Sequence, residues 1–134
     1  MEYKDTEKRT CIRFEIPGAT VSYEFKEHIE EFSPVIDMSR GGVKFQTKKP
    51  TDINAEVELK ISIPGEKVPL ILHGKVRWIS FIEEKEQYYI GIQFNPYGEK
   101  KGENYPGNLV KIIALEQKYA TTAKAKTEKY EIDG

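Results

Sequence analysis

Apolar and polar residues alternate along most of the chain, which is the pattern of β-strands that bury one face. The clearest stretch is 55–63 (AEVELKISI), where Val57, Leu59 and Ile61 face one way and polar residues face the other. The predicted strands are 12–16, 19–25, 32–38, 43–47, 55–63, 68–82 and 88–94. Six or seven short strands joined by tight turns indicate a closed or nearly closed antiparallel β-barrel.

Proline and glycine positions refine this pattern. Pro34 cannot donate a hydrogen bond to a neighbouring strand, so we expect its strand to lie at an edge. We expect the long strand 68–82 to kink at Gly74. Simple alternation within that strand predicts one shared face for Val76, Trp78 and Ser80.

The apolar period changes after a loop rich in Gly, Pro and Asn at 95–107. Apolar residues then recur at helical spacing, which predicts a helix over 108–123 with Asn108 as its N-cap. Residues 1–8 are polar and are expected to form a flexible tail, and 124–134 a loose C-terminal end. One barrel domain with its helix is therefore predicted over 9–123.

Composition narrows the possible functions. The 134 residues suit one domain, and 38% hydrophobic and 32% charged residues indicate a soluble globular protein. No apolar run is long enough to cross a bilayer, and the charged N-terminus does not resemble a secretory leader. The single cysteine excludes an internal disulfide. We therefore expect a cytoplasmic location without membrane insertion. The formal net charge of −1 does not favour duplex nucleic acid as a partner, whereas a small anionic ligand needs only a local positive cluster.

Known catalytic constellations are missing from the sequence. His28, His73 and the single Cys11 lie far apart and do not have the spacing of a zinc site. No nucleophile-elbow, phosphate-loop or dinucleotide-binding motif occurs. We therefore predict a protein that is not an enzyme and that holds neither a cofactor nor a metal ion.

Arginine is scarce and clustered. Of 21 basic residues, only those at 9, 13, 40 and 77 are Arg, and three of these fall within 9–13 and 37–42. Arg9 and Arg13 form an RxxxR motif, and their planar donors suit phosphates and the O6/N7 edge of guanine. Alone, this spacing is a weak signal.

The segment DMSRGG at 37–42 is the second motif and lies between two predicted strands. Asp37 can accept from the paired N1–H and N2–H groups of guanine, and the Ser39 hydroxyl adds a further polar contact. The following glycines let a ligand approach the backbone closely. Asp, Ser and Gly are also ordinary turn formers, and for this motif alone that interpretation stands first.

Taken together, the motifs resemble the PilZ domain family. The resemblance rests on EKRTCIRF (7–14), VIDMSRGGVKF (35–45), HGKVRW (73–78) and YYIGIQF (88–94), in that order. It implies a six-stranded antiparallel PilZ-type β-barrel with a C-terminal α-helix. It also implies binding of cyclic di-GMP, a ring of two guanosines joined by two phosphodiesters.

The resemblance assigns the ligand contacts to specific residues. Arg9 and Arg13 would bind phosphates and guanine Hoogsteen edges, Asp37 and Ser39 another guanine edge, and Gly42 would permit close approach. Secondary candidates are Lys8, Arg40, Gly41 and Trp78. Lys8 stands where many members have another Arg, which leaves open whether one or two ligand molecules bind.

The resulting expectation is a cyclic di-GMP-binding adaptor that changes conformation, orders its N-terminal tail and acts on an unidentified partner protein. Motility, adhesion or biofilm formation, and exopolysaccharide secretion remain open as pathways. One alternative is a PilZ-like interaction module that binds no nucleotide, as in members that serve type IV pilus assembly. Another is a single-stranded nucleic-acid binder, for which the eight Tyr residues could supply stacking surfaces.

Overall fold

The structure is a computed structural model that describes the backbone of residues 12–133 and the side chains of residues 12–120. Its elements are β1 (Thr20–Phe25), β2 (His28–Ser39), β3 (Gly42–Thr47), β4 (Glu56–Ser62), β5 (Leu70–Ile82), β6 (Gln87–Phe94) and α1 (Pro106–Asp133). The strands close into an antiparallel barrel in the order β1-β2-β3-β6-β5-β4. This confirms the predicted all-β, six-stranded antiparallel barrel with a C-terminal helix.

The barrel interior is filled by the residues that the alternation placed inward. In β4, Val57, Leu59 and Ile61 are at most 6% exposed, while the glutamates and lysine between them face solvent. Phe45 from β3 and Ile90 from β6 meet them from other strands in the same core. Burial of these side chains supplies the main driving force for closing the sheet.

The first predicted strand is reduced to a single bridge. Phe14 exchanges two backbone hydrogen bonds of 2.9 Å with Met38, and no named strand covers 12–16. The expectation for Pro34 was wrong, because Pro34 lies inside β2 and the closed barrel has no edge there. Register shifts on both sides of Pro34 break the regular ladder, which is where a missing N–H is tolerated.

The irregularity in β5 also lies elsewhere than predicted. The register shifts between Val76 and Trp78, so that Arg77 is the extra residue of a bulge. Val76 is fully buried and Trp78 is 42% exposed, so the expected common face was wrong. Gly74 has a different role: a Cβ there would lie 2.5 Å from the carbonyl oxygen of Gln93, so glycine lets β5 approach β6.

Helix α1 crosses the barrel end at which β2 finishes and β5 begins. It starts at Pro106, which suits a first helical turn because proline lacks an N–H. Asn108 is not the N-cap: its side-chain amide donates to the Ile71 carbonyl at 2.9 Å and fastens the helix to β5. The helix also continues to Asp133, past the end predicted at residue 123. None of the helical segments in the described chain has the length and apolar character required to span a bilayer.

Candidate ligand-binding site

The hairpin between β2 and β3 carries the DMSRGG motif. Ser39 pairs with Gly42, which leaves Arg40 and Gly41 as a two-residue loop. The Ser39 hydroxyl oxygen accepts a hydrogen bond of 3.2 Å from the Gly41 backbone N–H. Ser39 is only 3% exposed, so its visible role in this structure is to stabilise the turn.

Arg13 and Asp37 form an ion pair that joins the two sequence motifs. The Asp37 Oδ1 atom lies 2.7 Å from Arg13 Nε and 2.6 Å from Arg13 Nη2. The neighbouring backbone bridge from Phe14 to Met38 fixes this approach, because each residue of the pair precedes one residue of the bridge. The structure thus brings together Arg13 and Asp37, which are separated by 24 positions in the sequence.

A row of residues continues from Asp37 across the outer face of the barrel. Asp37 is the cross-strand partner of Lys44 on β3, and Lys44 is the partner of Gly91 on β6. Gly91 in turn pairs with Trp78 on β5. The row therefore sets a carboxylate on β2 beside an ammonium group on β3, with an indole ring on β5 beyond Gly91 of β6.

The two glycines of the motif differ in what surrounds them. A Cβ on Gly42 would lie 2.2 Å from the Ile92 carbonyl oxygen, so this glycine is needed for β3 to pair closely with β6. A Cβ on Gly41 would meet no atom within 4 Å. The structure thus supplies a packing reason for Gly42, and its predicted role in ligand approach stays a prediction.

Arg40 ties the turn to the helix. Its Nε and Nη2 atoms donate to Glu116 Oε1 and Oε2 at 3.0 and 3.1 Å. Glu116 is only 7% exposed, although it is a charged residue. The Arg40 carbonyl also accepts a hydrogen bond of 2.7 Å from the Tyr97 hydroxyl. Burial raises the pKa of Tyr97 from 10.0 to about 12, which extends the pH range over which this donor stays protonated.

A comparison with protein-family models matches residues 7–105 to the PilZ domain. The chain belongs to the PilZ domain family. The match spans both motifs and all six strands, and it confirms the resemblance drawn from the sequence. No curated protein matches this PilZ domain.

Solved structures share the fold of this PilZ domain. The Bacillus subtilis inhibitor of motility MotI/DgrA aligns with a TM-score of 0.61 and 15% identity, over 81% of this chain and 48% of that one. The K. pneumonia MrkH–c-di-GMP complex aligns with a TM-score of 0.58 and 20% identity, over 88% of this chain and 55% of that one. The PilZ domain of Escherichia coli YcgR with c-di-GMP aligns with a TM-score of 0.58 and 14% identity, over 91% of this chain and 98% of that one. The chain thus spans about half the length of MotI/DgrA and MrkH.

Two of the predicted ligand residues, Lys8 and Arg9, lie outside the described residues. Of the remainder, Arg13 and Asp37 are in direct contact, and Trp78 lies on the same outer face. Arg40 instead points its guanidinium group at the helix. Their predicted roles in binding cyclic di-GMP stay predictions.

Sequence reasoning missed Glu116, Tyr97 and Lys44. A signal for Glu116 was available, because it stands between Ile112 and Ala120 at four-residue steps, on the apolar stripe of the helix. A charged residue on such a stripe needs a partner. Tyr97 and Lys44 carry no comparable signal, because their contacts depend on how distant strands meet.

A cavity beside the helix does not include the ion pair. A volume of about 190 Å³ lies between α1 and the segment 63–70, and its lining includes Ile63, Leu70 and Tyr119. None of the candidate residues described in the structure lines it. The candidate site is therefore an open outer face of the barrel, which suits a large flat ligand more than a buried small molecule.

Proposed function

We propose that this PilZ domain is a cyclic di-GMP-binding effector that acts on a partner protein and performs no catalysis. The observation that carries the proposal is the Arg13–Asp37 contact, which unites the family's two motifs on one face. The MrkH and YcgR structures contain c-di-GMP, and MotI/DgrA is named as an inhibitor of motility. A partner in motility is accordingly the first to test.

The geometry of the ion pair suits an exchange with ligand. Both Arg13 contacts use Oδ1 of Asp37, and no other described residue donates to Oδ2. A guanine edge can engage this carboxylate through N1–H and N2–H while the Arg13 guanidinium turns to a phosphate. Each charge-assisted bond of this kind contributes about 1.5–3 kcal/mol, which offsets the loss of an exposed ion pair.

The remaining candidates complete the proposed contacts. Trp78 offers an exposed ring on which a guanine base can stack. Arg9, carried over from the family motif, adds a second guanidinium for the second phosphate. Lys8 keeps a positive charge without a planar stacking surface, and it is the position to vary when the number of bound ligands is measured.

Two routes lead from the ligand to a partner. In the first, as expected from the sequence, ligand binding orders the N-terminal tail with Arg9, which lies outside the described residues, and so creates a new surface. The β2–β3 turn also contacts α1 directly, since Arg40 pairs with Glu116. A shift of the turn on ligand binding would therefore move or break the Arg40–Glu116 contact and so change the position of the helix.

Calorimetric titration with cyclic di-GMP, and with GTP as a control ligand, tests the proposal. Wild-type protein is expected to bind cyclic di-GMP with micromolar or tighter affinity and to give no heat with GTP. Arg13→Ala and Asp37→Ala should each lose binding. Lys60→Ala is the matched control, because Lys60 is an exposed lysine on β4, three strands away from β3 on either side of the barrel. Folded wild-type protein that gives no heat would contradict the proposal.

A further inference from the structure

Lys44 is an unusual surface lysine. It lies in the middle of β3 with its side chain half-buried. Its Nζ atom is 5.1 Å from the ring centre of Tyr89 and 5.9 Å from that of Trp78. Within the described part of the chain, no carboxylate lies at ion-pair distance from this ammonium group. Its charge is thus held against two aromatic rings.

The position of Lys44 places this charge beside the proposed ligand contacts. Side chains of directly paired residues lie about 5 Å apart at Cβ, and Lys44 is directly paired with Asp37. Trp78 lies two strands further on, through Gly91. The row from Asp37 to Trp78 spans three strand spacings, about 14 Å, a length that suits a dinucleotide.

Gly91 shapes the far end of this row. A Cβ at Gly91 would lie 2.3 Å from the Cε2 and Nε1 atoms of Trp78. The indole ring therefore rests directly on the backbone of β6, and Trp78 as a residue is 42% exposed. An exposed aromatic ring held in this way can stack with a flat base once the Lys44 ammonium group moves to another partner.

We propose that Lys44 is a ligand-contacting residue: its Nζ binds a phosphate of the dinucleotide whose guanine stacks on Trp78. This inference rests on the proposed function. Cation–π contacts at an exposed site are weak compared with a charge-assisted bond to phosphate, so the ammonium group can change partners when ligand arrives. The opposite view is that Lys44 only packs its stem over the rings, as many surface lysines do.

Trp78 provides a direct readout, because it is the only tryptophan in the chain. A base that stacks on it will change its fluorescence. The full chain is titrated with cyclic di-GMP by fluorescence and by calorimetry at several salt concentrations. The variants are Lys44→Met, which removes the charge but keeps an unbranched stem, Lys44→Arg, which keeps the charge, and Lys60→Met as the matched control.

Lys44→Met should weaken binding by about tenfold or more, as expected for loss of one charge-assisted contact. Its affinity should also fall less steeply with salt, since one phosphate contact is gone. Lys44→Arg should stay within about threefold of wild type, and Lys60→Met should match wild type. All variants that bind should still change the Trp78 signal at saturation.

The possible failures are distinguishable. Wild-type binding that Lys44→Met leaves unchanged overturns the role of Lys44 but not the proposed function. Equal losses in Lys44→Met and Lys60→Met show a general charge effect and also overturn it. Wild-type protein that does not bind overturns both. Circular dichroism checks folding, and Lys44→Gln replaces Lys44→Met if the latter fails to fold.

Discussion

Two arginine–carboxylate pairs lie at the β2–β3 turn and beside it, and they differ in the burial of the carboxylate and in the geometry of the contact. In the Arg13–Asp37 pair the side chains are 49% and 22% exposed. In the Arg40–Glu116 pair they are 48% and 9% exposed. The arginines are alike, so the environment of the carboxylate sets the two pairs apart.

The contact geometry also distinguishes the two ion pairs. Arg13 addresses a single oxygen of Asp37, whereas Arg40 spreads two donors over both oxygens of Glu116. A forked contact to a buried carboxylate is a structural tie, because removing one partner strands a desolvated charge. An exposed contact to one oxygen costs little to open. The first pair is suited to ligand exchange and the second to holding the helix.

Gly42→Ala should have the largest effect on stability, because the close pairing of β3 with β6 beside the β2–β3 turn depends on this residue. The added Cβ would lie 2.2 Å from the Ile92 carbonyl oxygen, so β3 and β6 must separate. We expect a loss of about 3 kcal/mol in the free energy of unfolding, measured by urea titration. Gly41→Ala is the control and should stay within about 0.5 kcal/mol of wild type, since no atom lies within 4 Å of its Cβ.

Arg40→Ala should cause the second-largest loss in the free energy of unfolding. It leaves the buried Glu116 carboxylate without this partner, at a cost of about 2 kcal/mol after allowing for the half-exposed arginine. Glu116→Ala should cost less, because the Arg40 guanidinium can turn to water. A double-mutant cycle measures the coupling between them. Additive effects of the two changes would show that the pair is not a structural tie.

Tyr97→Phe removes the hydroxyl that donates to the Arg40 carbonyl at 2.7 Å. The expected loss in unfolding free energy is about 1 kcal/mol at neutral pH. Because the pKa of Tyr97 is raised to about 12 from its ordinary value of 10.0, the stabilisation is complete below pH 10.0 and disappears as pH rises through 12. Urea titrations across this range should show the difference between variant and wild type shrinking; a constant difference would contradict this account.

Arg13→Ala should have the smallest effect on stability. An exposed ion pair contributes little, so the free energy of unfolding should stay within about 0.5 kcal/mol of wild type. Binding of cyclic di-GMP should nevertheless fall by at least about tenfold, because a phosphate contact is lost. A loss of stability as large as that of Arg40→Ala would remove the distinction between the two pairs.

The sequence predicted the strands well where alternation is regular, as in β4. It failed at Trp78, because one extra residue in a strand turns every later side chain to the other face. It failed at Asn108, whose side chain binds a carbonyl of β5 instead of capping its own helix. In both cases a tertiary contact overrode a sound local pattern.

The candidate site was accessible from the sequence only in part. Both motifs were predicted to contact one ligand, which implies that Arg13 and Asp37 lie near each other, but their direct ion pair was not predicted. The proximity of Lys44 and Trp78 could not be predicted, because it depends on the strand order β3-β6-β5, which local sequence patterns do not reveal. Arg40 was predicted as a secondary ligand candidate because it lies inside the DMSRGG motif. Its contact with Glu116, 76 positions away, could not be predicted from that motif.

The most direct test of the central claim is a nuclear magnetic resonance titration of the labelled protein with cyclic di-GMP. The account predicts saturable shifts of the amides in 37–44 and of the Trp78 indole N–H, while the amides of β4 (Glu56–Ser62) on the far side of the barrel stay in place. Shifts confined to β4 or to the cavity between α1 and the segment 63–70 would contradict it, and so would the absence of shifts in folded protein.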